Sequence, residues 1–173
     1  MASLVSFVDA SDVGNRCSDS SSSWTVGQDP WPNNGEIDII EGVNTHLTNT
    51  MTLHTSAGCP VDGTQSGSYV THDCGPETPF NAGCGVQSDT CNSFGSGFNN
   101  VRGGVYATRW NAGGIQIWFF PRAHIPQDIT DGNPKPENWG LPQANFSGSC
   151  NFDSHFKNHR IVSQANSIFY LRC

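Results

Sequence analysis

The sequence predicts an all-β domain of sandwich or barrel type, and three observations carry that expectation. Only 13% of the 173 residues are charged, whereas Gly (19) and Pro (10) are plentiful and Ser, Thr and Asn recur throughout. Good helix formers are therefore scarce, and many short strands joined by Gly/Pro/Asn turns fit this mixture better than long helices. The segments 105–110 and 115–120 run apolar or alternate and flank Asn111-Ala112-Gly113-Gly114, which reads as a hairpin.

Each element follows in chain order. Residues 1–23 end in a Ser-rich run, Ser18-Asp19-Ser20-Ser21-Ser22-Ser23, that buries little and reads as a flexible N-terminal segment. A short strand ending covers 24–27, and Asp29-Pro30-Trp31-Pro32-Asn33-Asn34-Gly35 is a turn-rich loop. Strands are expected over 36–40 and 49–56. Residues 57–103 form a Cys-bearing stretch without obvious strands, 121–142 a second turn-rich excursion, and 159–162 the start of a strand. No internal repeat or inter-domain linker is apparent, and the length suits one domain with a core of its own.

Charge and hydropathy exclude some partners. A net charge of −7 with no Lys/Arg cluster argues against nucleic acid. No apolar run approaches the roughly 18–20 residues of a bilayer-spanning helix, so no membrane partner is expected. Seven cysteines are many for a cytosolic chain of this size. Spacings of 15, 10 and 7 residues between Cys59, Cys74, Cys84 and Cys91 suit close-paired zinc ligands poorly. Disulfides of a secreted protein fit better, with one thiol left without a partner. The first nine residues carry neither a basic region nor a long enough apolar core for a signal peptide.

The acidic strand is the most informative segment. Side chains alternate across a strand, so Glu36 and Asp38 share one face and Ile37 and Ile39 the other. Continued regularly, the pattern would point Glu41 into the core, where an unpaired carboxylate costs several kcal/mol. One extra residue, a β-bulge near Ile40, would return Glu41 to the face of Glu36 and Asp38. Two carboxyls brought to about 5–5.5 Å have the geometry of retaining glycoside hydrolysis. Repulsion among three carboxylates should raise at least one pKa. A solvated acidic face and a calcium site are the competing readings.

The next strand places Thr50, Thr52, His54 and Ser56 on one face and Met51 and Leu53 on the other. His54 could then donate to Asp38 or Glu36, although a surface histidine explains the pattern as simply. Trp24 and Trp31, beside polar turns, are candidate sugar platforms, whereas Trp118 reads as core. Asn145-Phe146-Ser147 is an N-glycosylation sequon.

The segment Trp31-Pro32-Asn33-Asn34-Gly35-Glu36-Ile37-Asp38-Ile39-Ile40-Glu41-Gly42 resembles the signature of glycoside hydrolase family 16, in its fungal laminarinase-like branch. Thr52-Leu53-His54-Thr55-Ser56, Cys84-Gly85-Val86-Gln87, Trp118-Phe119-Phe120-Pro121-Arg122, Ile125-Pro126-Gln127-Asp128-Ile129 and Asn138-Trp139-Gly140 resemble further motifs of that branch, in its order. The resemblance covers residues 24–162, leaving 1–23 and 163–173 unmatched. It implies a concanavalin A-like jelly-roll β-sandwich whose concave sheet binds a glucan. Glu36 would be the nucleophile, Asp38 its modulator, Glu41 the acid/base, and His54 a neighbour of the catalytic strand. The implied activity is internal cleavage of β-1,3- or mixed-linkage β-glucans, without cofactor or metal. The implied enzyme is secreted and taken to be a monomer. Transglycosylation at the same site, or a non-catalytic glucan-binding or inactive fragment, are the alternatives. The family pattern has strands before the acidic motif and after residue 162 that find no counterpart here, so a shortened, incomplete jelly roll is expected.

Overall fold

In a chain poor in helix formers, long-range strand pairing has to supply the order. The computed structural model describes residues 4–10, 21–42 and 46–165. Among them run strands β1 (Leu4–Ala10), β2 (Ser21–Val26), β3 (Glu36–Ile40), β4 (Thr50–His54), β5 (Ser68–Tyr69), β6 (Cys84–Gln87), β7 (Gly104–Asn111), β8 (Gly114–Pro121), β9 (Ala144–Phe146) and β10 (Arg160–Ala165). Three short helices, α1 (Gly95–Asn100), α2 (Gln127–Thr130) and α3 (Phe152–His155), lie in the connections.

The strands form two antiparallel sheets, β1-β7-β8-β9 and β10-β2-β3-β4-β6-β5. The expected hairpin is β7–β8, turned through Ala112 and Gly113, with the Gly113 N–H donating to Asn111 Oδ1 at 2.8 Å. Alternation decides what each sheet turns inward. Ile37, Met51, Leu53 and Val86 from the six-stranded sheet meet Tyr106, Ile115, Ile117, Phe119 and Phe146 from the other, and Phe94, Phe98, Phe152 and Phe156 close the ends of this core. Each such side chain contributes about 1.5–3 kcal/mol on burial, so the sandwich interior is what holds the sheets together. Opposite the core, the polar residues of β3 and β4 face outward.

Several expectations are corrected. Part of the supposedly flexible segment 1–23 is sheet: β1 pairs along β7 from Leu4↔Trp110 to Ala10↔Gly104, and Ser21–Ser23 open β2. Residues 11–20 lie outside the described residues, as do 166–173 of the expected tail, whose first residues 163–165 belong to β10. The Cys-bearing stretch contains β5 and β6, and β6 is a full member of the six-stranded sheet beside β4. The second strand is shorter than expected, Thr50–His54.

Trp118 is buried, but on the outer side of its sheet. It is absent from the central cluster, packs edge-on to Trp139 at 5.3 Å and donates its indole N–H to Gly140 O at 3.1 Å. The 122–142 excursion thus covers that face. Disulfides Cys59–Cys150 and Cys74–Cys84 answer the cysteine question against zinc, and Cys91 is free and exposed.

Candidate active site

The six-stranded sheet brings the acidic residues together by register. Cross-strand partners point to the same side. One row across the outer face therefore reads Val26, Glu36, His54, and the next reads Trp24, Asp38, Thr52. Trp24, expected as a sugar platform, stands directly beside Asp38. Trp31 arrives from the β2–β3 loop. Its indole N–H donates to Glu36 Oε2 at 3.1 Å, and its ring lies 5.7 Å from that of His54. It remains 46% exposed, open enough to stack on a ligand.

The extra residue expected near Ile40 is present. Against β2 the register passes from Asp38↔Trp24 to Ile40↔Ser23, so Ile39 has no opposite number. Against β4 a regular ladder would pair Thr50 with Ile40, yet the Thr50 N–H donates to Glu41 O at 3.3 Å. Ile39 and Ile40 both stay in the core, and Glu41 emerges on the outer side, where Thr52 hydrogen-bonds its carboxyl. The bulge solves the conflict that a regular strand would create.

The electrostatics follow from this crowding. Partial burial raises the Glu36 pKa, and the Asp38 carboxylate adds to the rise. His54 and the Trp31 hydrogen bond oppose it. Glu41 is likewise raised, by burial on its protein side and then by Asp38. His54 Nε2 sits 3.4 Å from Asp38 Oδ2. Burial of the ring acts to lower its pKa, but the Asp38 hydrogen bond and the charges of Asp38, Glu36 and Glu41 outweigh it and leave it raised. The surface reading of His54 is thus replaced by a mostly buried one. At Gly83 a side chain would begin 2.8 Å from His54 Nδ1, so only glycine lets the Cys74–Cys84 loop pass so close to the ring.

One oxygen each of Glu36 and Asp38 and one ring nitrogen of His54 lie within 4.8 Å of one another. This donor set suits a calcium ion poorly, since calcium takes six to eight oxygens. Trp31 and the Asp38–His54 contact already engage its atoms.

Two residues of the site escaped sequence reading. Alternation puts Thr52 on the outer face but by itself assigns it no role. Asn49, fully buried just before β4, binds the main chain at the bulge. The signal was available: a bulge displaces backbone hydrogen bonds, and a buried amide nearby is a natural partner for the groups concerned.

A two-sheet β-sandwich with a bulged strand presenting three carboxyls defines a class of carbohydrate-active domain, and the comparisons with known proteins narrow it. The chain belongs to glycoside hydrolase family 16, for a profile described as the XgeA-like catalytic domain of that family matches residues 2–166. That match includes most of segment 1–23, beyond the reach of the motif resemblance. Over 145 residues the chain is 43% identical to a probable glycosidase of Schizosaccharomyces pombe, covering 80% of this chain and 34% of the relative. It is 43% identical over 151 residues to an endo-1,3(4)-β-glucanase of Emericella nidulans, 86% of this chain and 24% of the relative. The chain thus spans about a quarter to a third of these relatives' length. Laminarinase 16A from Phanerochaete chrysosporium, solved with β-glucans in both donor and acceptor sites, superposes with a TM-score of 0.86 at 39% identity over 92% of this chain and 56% of that one. An elongating family 16 β-1,3-glucosyltransferase gives 0.83 at 42% identity, over 92% and 53%.

Proposed function

We propose that this domain cleaves internal bonds of β-1,3- or mixed-linkage β-glucans with retention of configuration. The observation that carries the proposal is the bulged strand, which sets Glu36 and Glu41 on one face on either side of Asp38. The substrate class is that named for the fungal glucanases it resembles. The two disulfides support work outside the cytosol. No helix among the described residues is long and apolar enough to cross a membrane.

In the first step a Glu36 carboxylate oxygen attacks the anomeric carbon. The glycosidic bond breaks, its electron pair goes to the leaving oxygen, and Glu41 protonates that oxygen. The result is a glycosyl ester on Glu36. In the second step the Glu41 carboxylate takes a proton from water, the water oxygen attacks the anomeric carbon, and Glu36 leaves as carboxylate. The surroundings support this division of roles. Trp31 holds one oxygen of Glu36 in its ionised form and leaves the other to attack. Glu41, past the bulge and solvent-facing, is placed to exchange protons with leaving group and water. Asp38, between them, pairs with His54 from the neighbouring strand, and the two tune both carboxyls. Trp24 and Trp31 offer flat faces for sugar rings.

The test is release of reducing ends from laminarin and lichenan by the chain and by Glu36→Gln. Activity in the first and its loss in the second is expected, and equal activity or inactivity in both refutes the proposal. The likeness to an elongating transferase favours one second reading, in which a sugar hydroxyl replaces water. Products longer than the starting oligosaccharide would reveal it.

A further inference from the structure

A carboxyl beyond a bulge can be aimed only if the main chain carrying it is fixed. Here that chain is gripped from one side by a single amide. Asn49 Nδ2 donates to Ile39 O at 2.8 Å, and Asn49 Oδ1 accepts from the Glu41 N–H at 2.8 Å. The two contacts flank Ile40, the point where the ladder slips. Asn49 is itself immobilised: its N–H donates to Ser93 Oγ at 3.0 Å and its C=O accepts from the Ser88 N–H at 2.9 Å. Ser93 is anchored in turn to Thr90 O at 2.7 Å, and its carbonyl accepts the buried Tyr106 hydroxyl. On the far side of Glu41 there is equally little slack, since a side chain at Gly42 would begin 2.6 Å from the Phe94 ring.

We propose that Asn49 is the positioning residue of Glu41: its amide clamps the backbone on both sides of Ile40 and so sets where the Glu41 carboxyl stands relative to Glu36. The proposal rests on the acid/base role given to Glu41 above. Asn49 faces inward and touches no reacting atom. An amide suits the task because it offers a donor and an acceptor side by side, whereas an ionised Asp lacks the donor, Ala lacks both, and a Ser hydroxyl sits on a shorter arm.

The consequence is selective. A misplaced acid/base harms bond cleavage where the leaving oxygen needs a proton, but it spares attack by Glu36 on a substrate whose leaving group needs none. In the full chain, Asn49→Ala should lower laminarin hydrolysis by about 100-fold, the scale of general acid catalysis, and leave the dinitrophenolate burst from dinitrophenyl β-laminaribioside within about threefold. Azide, which attacks the glycosyl ester without base assistance, should speed turnover of that substrate in the variant. Independently of turnover, the Glu41 amide should exchange with solvent faster in Asn49→Ala than in the parent.

Asn49→Ser, which puts no charge in this buried position, guards against a fold defect in the Ala variant and should show the same selectivity. Equal loss on both substrates, loss on neither, or unchanged Glu41 exchange would overturn the proposal. So would failure of both variants to fold, which would make Asn49 a residue of the fold alone. A parent chain inactive on both substrates would instead sink the functional reading, and the exchange result would still judge the clamp.

Discussion

Glu36 and Glu41 hold their protons more tightly than ordinary carboxyls, and the cause is the company each keeps. Burial comes first and the Asp38 charge second in both, with His54 pulling the other way. The proposed double displacement needs Glu36 ionised and Glu41 protonated, so activity against pH should be bell-shaped, with Glu36 setting the acid limb and Glu41 the alkaline limb. His54→Ala removes the charge that lowers both, so both limbs should move to higher pH; a pH–rate profile of the variant that moves down or stays put would contradict the assignment. Glu41→Gln should cost about 10²- to 10⁴-fold on laminarin, the usual range for a general acid/base. The acidic face was legible from sequence because a carboxylate cannot be left in a core: that rule alone demanded a bulge before Glu41. The role of Asn49 was not legible, since an Asn ahead of a strand reads as a turn residue until its neighbours in space are known.

At the scale of elements, the site depends on β3 being held between β2 and β4 while slipping by one residue. The β3, β4 and β7–β8 segments were readable because their alternation is local. Strand β1 was not, since its partner lies about a hundred residues away, and neither was β6, four residues containing a glycine and flanked by turns. Short strands of this kind are made by pairing rather than propensity. The Cys59–Cys150 disulfide crosses 91 residues and ties the loop after β4 to the segment before α3. Closing so long a loop is worth about 4–5 kcal/mol on the chain-entropy account, so Cys59→Ser should lose a large part of that in urea unfolding. A change below about 1 kcal/mol would show that the unfolded chain is not what the bridge restrains.

For the whole molecule, crowding Glu36 and Glu41 beside Asp38 costs stability once they ionise. The folded pKa values of Glu36 and Glu41 lie above 4.5, so the native state binds more protons than the unfolded chain over that window, and stability falls as pH rises through it. His54, raised above 6.5, adds stability below that pH and loses it as pH climbs through the folded value. His155 and His159 act oppositely. Burial depresses both, so the stability they carry above pH 6.5 is lost as pH falls below it. Glu36→Gln isolates one contribution: its melting temperature should exceed the parent's at neutral pH and approach it near pH 4. A gain independent of pH would mean the carboxylate is not destabilised by its surroundings.

Family membership and the two-sheet architecture leave the stereochemistry of the reaction as the sharpest question. It is read most directly by proton NMR of laminarin digestion, followed before the new reducing ends mutarotate. The β-anomer appearing first, and absent with Glu36→Gln, is the expected result. The α-anomer appearing first would contradict a Glu36–Glu41 double displacement.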